Sequence, residues 1–417
     1  MRKGWEIKKL GDVCRFINGK AYSKDELLSE GKYLVLRVGN FFTNNHWYYS
    51  DLELEEDKYC NNGDLLYAWS ASFGPRIWAG NKVIYHYHIW KVIPNTEIIS
   101  KEFLFQLLEW DMEQIKSAHG TGTTMMHVGK GSMENRLAPI PPLSDQKQII
   151  SILDEAFAAI DQAKENLQRN LQNAKELFQS ELNRIFSSKA KGWIEKKLEE
   201  IALVFGRGKS KHRPRNDEKL YGGNYPFIQT GDVRNSDKFI TQYSQTYNEV
   251  GLAQSKLWQK GTICITIAAN IAETGILTFD SCFPDSMIGL VVDPKKADVN
   301  FAYYAMQFLK SALQLLGKGS AQDNINMGTF ETQKFPFPSL EMQKKVVQQL
   351  DILSTQTKNL ENIYQKKLDN LEELKKSILQ KAFRGELSSP ERASSANDGH
   401  SPSKKKKASS IKSPERA

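Results

Sequence analysis

Four cysteines in 417 residues leave little room for disulfide or zinc chemistry. Cys14, Cys60, Cys264 and Cys282 lack CxxC spacing and have no nearby histidine, so reduced thiols in a cytosol are expected. Long apolar runs are also missing. The best candidate, ICITIAANIA from Ile263, is broken by Thr and Asn and falls short of the ~18 residues of a membrane span. The opening MRKGWEIKK has no apolar signal-peptide core, and a cytoplasmic location follows as an expectation.

Catalytic motifs are scarce too. GKS at Gly208–Ser210 resembles the end of a phosphate-binding loop, but Leu203 stands where the first glycine is required. The seven histidines contain no HExxH, and there is neither an Asn-Pro-Pro-aromatic methyltransferase motif nor a glycine-rich AdoMet loop. Asp285 with Asp293–Pro294–Lys295 formally fits a metal-dependent nuclease. Against it, the matching stretch of the repeat described below is Ile93–Pro94–Asn95, and Pro294 would disrupt the strand such carboxylates need. The chain reads as non-catalytic.

The chain does contain its own sequence twice, offset by about 197 residues. PIPPLSDQKQII at 139–150 realigns with PFPSLEMQKKVV at 336–347, placing Gln146 on Gln343, Leu153 on Leu350 and Phe186 on Phe383. The openings also match, WEIKKLGDV from Trp5 and WIEKKLEEI from Trp193. Two such copies imply approximate two-fold symmetry, which suits a partner with its own pseudo-symmetry such as DNA. The net charge of +8 adds little to this, because half of it lies in the Lys-rich tail beyond Leu387.

Each copy starts with short apolar strand candidates between turns: YLVLRVGN from Tyr33, GDLLYAWS from Gly63 and KVIYHYHIWKVIP from Lys82, then YPFIQTGDV from Tyr225, GTICITIA from Gly261 and MIGLVVDP from Met287. Helix-period stretches follow at KEFLFQLLEWDMEQI from Lys101 and NFAYYAMQFLKSAL from Asn300. After each Pro-rich turn comes a helix of some 40 residues, about 60 Å at 1.5 Å per residue. Ile149, Leu153, Ile160, Leu167, Ala174 and Leu177 keep a heptad rhythm in the first, and Val346, Leu350, Leu353, Leu360, Leu371 and Leu374 keep it in the second. Such helices can pair antiparallel within the chain or recruit another subunit. The expected fold is α+β. Mixed α/β domains at 1–143 and 188–340 are joined by antiparallel coiled-coil helices at 144–187 and 341–387, with a disordered tail at 388–417.

Binding features lie in the loops. GRGKSKHRPRNDEK from Gly206 carries Arg207, Lys209, Lys211, Arg213 and Arg215 as flexible side chains suited to phosphates and guanine edges, or simply to solvent. The first copy has the sparser NGKAYSK from Asn18. GTGTTMMHVGKGSME from Gly120 and GKGSAQDNINMGTFE from Gly317 place small and polar residues before each Pro-rich turn. Trp47, Tyr48, Trp69 and Trp78 fit core packing better than base stacking.

The segments GTTMMHV…PIPPLSDQKQIISILD and GSAQDNIN…PFPSLEMQKKVVQQLD, with ILQKAFRGEL at 378–387, resemble specificity subunits of type I restriction–modification systems. The likeness covers about residues 5–387 and leaves the Lys-rich tail unexplained. It implies two target recognition domains, each reading half of a split double-stranded DNA site. It also implies a helical spacer that docks two modification (methyltransferase) subunits, with restriction (endonuclease and translocase) subunits joining them. AdoMet, ATP and Mg2+ would then belong to those partners, with no cofactor in this chain. On this reading the DNA-binding candidates in the first domain are Lys20, Arg37, Asn40, Arg76, Thr124 and His127. In the second they are Lys209, Lys211, Arg213, Gln229, Arg234, Gln322 and Asn324. The rival readings are a coiled-coil adaptor that does not touch DNA and a nuclease using Asp285, Asp293 and Lys295.

Overall fold

The computed structural model describes residues 4–42, 45–70, 73–119, 127–188, 192–268, 271–318, 328, 330 and 333–387. The chain forms two compact units. One combines residues 1–166 with 367–417, and the other is residues 167–366.

In the first unit two small sheets share a core. Cys14–Asn18, Ile89–Pro94, Leu65–Ala68 and Gly74–Ile77 lie side by side, all antiparallel. Tyr48–Ser50, Tyr33–Leu36, Val83–Tyr85 and Tyr59–Cys60 form the second sheet, whose central pair runs parallel. Glu6–Lys9 pairs with Leu137–Ile140, tying the chain start to the Pro-rich turn. The helix Lys101–His119 buries Phe103, Leu104, Leu107 and Leu108 against the first sheet.

The second unit repeats this plan. Ala202–Arg207, Met287–Val292, Ile263–Thr266 and Thr274–Leu277 match the first sheet, and Phe239–Ile240 adds a parallel edge strand. Gln245–Tyr247, Tyr221–Phe227, Ser281–Cys282 and Leu257–Trp258 match the second sheet. The helix Val299–Lys318 takes the place of Lys101–His119. The strands YLVLRVGN and YPFIQTGDV are shorter than the sequence pattern suggests, because Val38–Phe42 and Thr230–Asn235 turn helical.

The long helices Leu143–Ser187 and Leu340–Phe383 close both cores. In the first unit Leu153, Phe157 and Ile160 share a core with Leu379, Ala382 and Phe383. Lys375 sits 4.8 Å over the Phe157 ring and Lys164 pairs with Glu372 at 2.5 Å, so the two helices run antiparallel there. In the second unit Leu182, Ile185 and Phe186 meet Val346 and Leu350. The strict heptad does not hold throughout. Leu177, Leu360 and Leu374 are 49%, 36% and 46% exposed, whereas Phe178 next to Leu177 packs inward. A helix has 3.6 residues per turn, so a 3.5 repeat drifts by about 20° per heptad until a four-residue step restores the seam.

Gln146 and Gln343 show why each helix starts where it does. The Gln146 amide donates to the Pro141 carbonyl at 2.9 Å and its oxygen accepts from the Ser100 amide at 2.9 Å. Gln343 repeats the clamp, donating to Pro338 at 2.9 Å and accepting from the Asp298 amide at 2.8 Å. Both side chains are buried. Gln343→Leu strands an amide and a carbonyl in the core, and the expected cost is about 1–3 kcal/mol. Urea denaturation followed by hydrogen exchange in residues 192–366 measures it, and a loss too small to detect would reject the clamp.

The four cysteines are free and buried, and burial pushes the Cys14 and Cys60 thiols up to about 12, which keeps them protonated and unreactive. Among the described residues no helix is long and apolar enough to cross a membrane.

Candidate nucleic-acid interface

A glycine-lysine pair anchors the same place in both copies. The Gly19 amide donates to Ile89 and the Lys20 amide to Tyr85, as Gly208 donates to Met287 and Lys209 to Phe283. A Cβ on Gly19 would come within 2.2 Å of the Tyr85 carbonyl, and one on Gly208 within 2.3 Å of the Pro284 carbonyl. Only glycine lets the chain pass so close. The GKS stretch is thus a packed strand end with no helix behind it, and the phosphate-loop likeness falls away.

What this pair holds is a short turn between two strands, His86–Tyr87–His88 in the first copy. KVIYHYHIWKVIP is therefore two strands, not one. The His86 amide donates to Leu36 at 2.9 Å, the Tyr87 amide to Lys20 at 2.9 Å, and the Trp69 amide to the His88 carbonyl at 3.1 Å. The rings crowd together: Tyr87 and His88 lie tilted at 3.9 Å, His86 and His88 tilted at 4.9 Å, and Trp69 meets His88 edge to face at 4.9 Å. Across from them lie the helix Val38–Phe42 and Tyr48, and between is a cavity of about 250 Å³ lined by Arg37, Asn40, His46, Tyr48, His86 and His88. Burial, with His88 and Arg37 nearby, pushes the His86 imidazole down to about 4. Burial, His127 and Arg37 also lower His88. Both rings are therefore neutral at pH 7, each offering one donor and one acceptor.

The sequence candidates of the first domain gather round this turn to different degrees. Arg37 and Asn40 line the cavity, Arg37 resting 5.1 Å over the Tyr48 ring and Asn40 donating to the His46 carbonyl. His127 is exposed, 6.1 Å from the Trp69 ring. Arg76 is exposed on Gly74–Ile77, 4.8 Å over the Phe42 ring. The Lys20 ammonium is spent internally: it pairs with Glu26 at 2.8 Å and holds that carboxyl below its ordinary range. Thr124 lies outside the described residues. Sequence reasoning missed His86 and His88, which looked like interior positions of one strand. The alternation of aromatic and histidine residues in YHYH was the available signal.

In the second domain the equivalent turn is Phe283–Ser286, and its chemistry differs. Asp285 takes Arg215 at 2.5 Å and Arg213 at 3.7 Å, while its carbonyl accepts from Arg207 at 2.8 Å. The basic loop is anchored, not flexible. Gln254 accepts from the Lys211 and His212 amides at 2.7 and 3.0 Å, and Ser255 donates to the Lys209 carbonyl at 2.7 Å. Lys219 and His212 hold the Asp217 carboxyl down at about 2. Arg207, Lys211, Arg213 and Arg215 remain exposed, and Lys209 is half-buried. Gln229 occupies the place of Arg37 and donates to Gln245 at 2.6 Å. Arg234 is exposed in the last turn of Thr230–Asn235. Gln322 and Asn324 lie outside the described residues.

The nuclease pattern does not assemble. Asp285 precedes the strand Met287–Val292 and Asp293 follows it, so about 20 Å of strand separates them at ~3.3 Å per residue. Asp293 accepts from the Lys295 amide at 3.0 Å, capping a turn. Among the described residues no three His, Cys, Asp or Glu side chains group as metal ligands.

The model of the type I restriction modification DNA specificity domain matches residues 2–172 and 190–371, one match per copy. The chain belongs to this family. The specificity subunit of the type I restriction enzyme EcoBI from Escherichia coli is 22% identical over 420 residues, covering 93% of this chain and 87% of its own length. That of MjaVIII from Methanocaldococcus jannaschii is 26% identical over 413 residues, covering 92% and 93%. The fold is shared with a chain solved to explain complex assembly and conformational transition of the type I R-M system, at TM-score 0.73, 19% identity and coverage of 93% and 99%. It is shared also with the HsdS subunit of Thermoanaerobacter tengcongensis, at TM-score 0.55, 19% identity and coverage of 93% and 98%. The two family matches fall on the two copies, whose Gly–Lys and glutamine anchors make the same hydrogen bonds.

Proposed function

We propose that this chain is the non-catalytic specificity subunit of a type I restriction–modification complex, working in the cytoplasm on double-stranded DNA. Each globular copy reads one half of a bipartite site, and the long helices space the halves and carry the modification and restriction subunits. AdoMet, ATP and Mg2+ act in those partners. One observation carries this reading: two copies with a common frame differ at the same turn, neutral histidines in one and an arginine-gripping aspartate in the other. A shared frame with divergent loops is what two half-sites of different sequence require.

Partner docking is supported by Leu177, Leu360, Ile363 and Leu374, large apolar side chains left exposed on the long helices. The DNA-binding candidate Lys211, on the anchored loop, and Arg207, at the end of the strand that leads into it, are exposed cations suited to phosphates.

Mapping methylated bases in cells with and without this chain tests the reading: a split motif should disappear with it. In the purified complex, affinity should fall steeply with salt. Replacing Arg207 and Lys211 with glutamine should flatten the log–log slope by about 1 for each phosphate no longer neutralised. An unchanged methylation map together with no sequence-specific protection would leave a coiled-coil adaptor in its place.

A further inference from the structure

We propose that the cavity between the His86–His88 turn and the helix Val38–Phe42 is a base-reading pocket that takes the major-groove edge of a single purine. The inference rests on the reading of this chain as a DNA specificity subunit and names the site and the base class in one half-site.

The pocket has the rigidity that readout needs. The backbone of His86–His88 is held by Leu36, Lys20 and Trp69, and its rings are clamped by one another and by Trp69 at 3.9–4.9 Å. The His88 amide also donates to Nδ1 of His86 at 3.4 Å, which leaves the His86 proton on Nε2. On the other side Arg37 is seated over Tyr48 at 5.1 Å. At about 250 Å³ the space lies just below the ~300–1,000 Å³ of small-molecule sites, and it suits a flat edge.

Its chemistry points to a base and away from phosphate. Phosphates draw most strongly on clustered cations, whereas here two lining histidines are held neutral by burial and Arg37 supplies the fixed charge. A guanidinium fork matches N7 and O6 of guanine, and neutral imidazoles can both donate and accept toward N7 and the six-position substituent of a purine. A cytosine amino group calls for a carboxylate acceptor, and none stands among the described lining residues.

The test uses the full chain assembled with its modification subunits and a duplex library randomised through both half-sites, with the methylated products sequenced. His88→Ala should relax selection at one purine position of one half-site by about tenfold to a hundredfold. The other half-site should stay unchanged, which also reports a folded complex. Arg37→Lys keeps the charge, loses the fork and should relax the same position, weakening binding to the preferred sequence more than to sequences altered at that position. Selection unchanged in both variants overturns the pocket, and so does a uniform loss across all sequences, the mark of a phosphate contact. A wild-type complex that methylates the library without preference would instead overturn the specificity-subunit reading and the pocket with it.

Discussion

Phe383→Ala is expected to destabilise the first unit by about 3–5 kcal/mol, the cost of removing a buried aromatic ring. Phe383 stands at the end of the second long helix, yet its ring sits in the core of the first domain, 5.3 Å from both Phe103 and Trp110. It is 3% exposed. Phe103 and Phe383 belong to segments far apart in sequence, so the ring ties the end of the second long helix to this core. Its counterpart Phe186 does the same in the second unit, 5.2 Å from Phe301 and stacked on Phe308 at 5.5 Å. Hydrogen exchange separates the two effects. Phe383→Ala should lower protection in residues 101–119 and spare 299–318, and Phe186→Ala should do the reverse. Equal loss in both units, or loss in neither, would mean that each ring is not the closing element of its own core.

The ring pair also marks how far the sequence could be read. The repeat aligned Phe186 with Phe383 and Gln146 with Gln343, and all four side chains are buried. Such residues are visible because shared packing leaves the same letter at the same offset. The long helices are visible because an apolar period sustained over 40 residues has few other solutions. The seam inside them was less legible. Leu177 and Leu374 keep the heptad phase but face solvent, since helical drift over several turns moves the contact stripe by one residue.

The His86–His88 turn was hidden for a different reason. Tyr85, Tyr87 and Ile89 alternate with His86 and His88 as a half-buried strand would. The pairing that breaks the strand comes from Leu36 and Lys20, about 50 and 67 residues away, and no local pattern reports it. Likewise the five cations of the Gly206 loop look alike in sequence. Asp285, 70 residues from Arg215, separates those that are gripped from those that are not. Composition told where charge is dense, and tertiary partners decide which charge is available to a ligand.

The spacer itself makes the second large prediction. Inserting seven residues after Asn166 and seven after Lys366, where the chain passes between its units, should lengthen the gap between the two DNA half-sites while leaving both sequences unchanged. Seven helical residues add about 10 Å of rise, which sets an upper limit of about three base pairs at ~3.4 Å each. Each added base pair also turns the duplex by about 34°, and the protein must follow that rotation. A heptad restores the apolar seam and adds little twist of its own, so the observed gain should lie between about one and three base pairs. Lengthening only one helix should instead put Leu153 and Leu379, or Leu182 and Val346, out of register and weaken the core they share. Sequencing methylated products from a library with variable gaps measures all of this at once. If the double insertion keeps the original gap, the helices do not set the spacing. If it changes the half-site sequences, reading and spacing are not separable, and the division of labour between a shared frame and divergent turns is wrong.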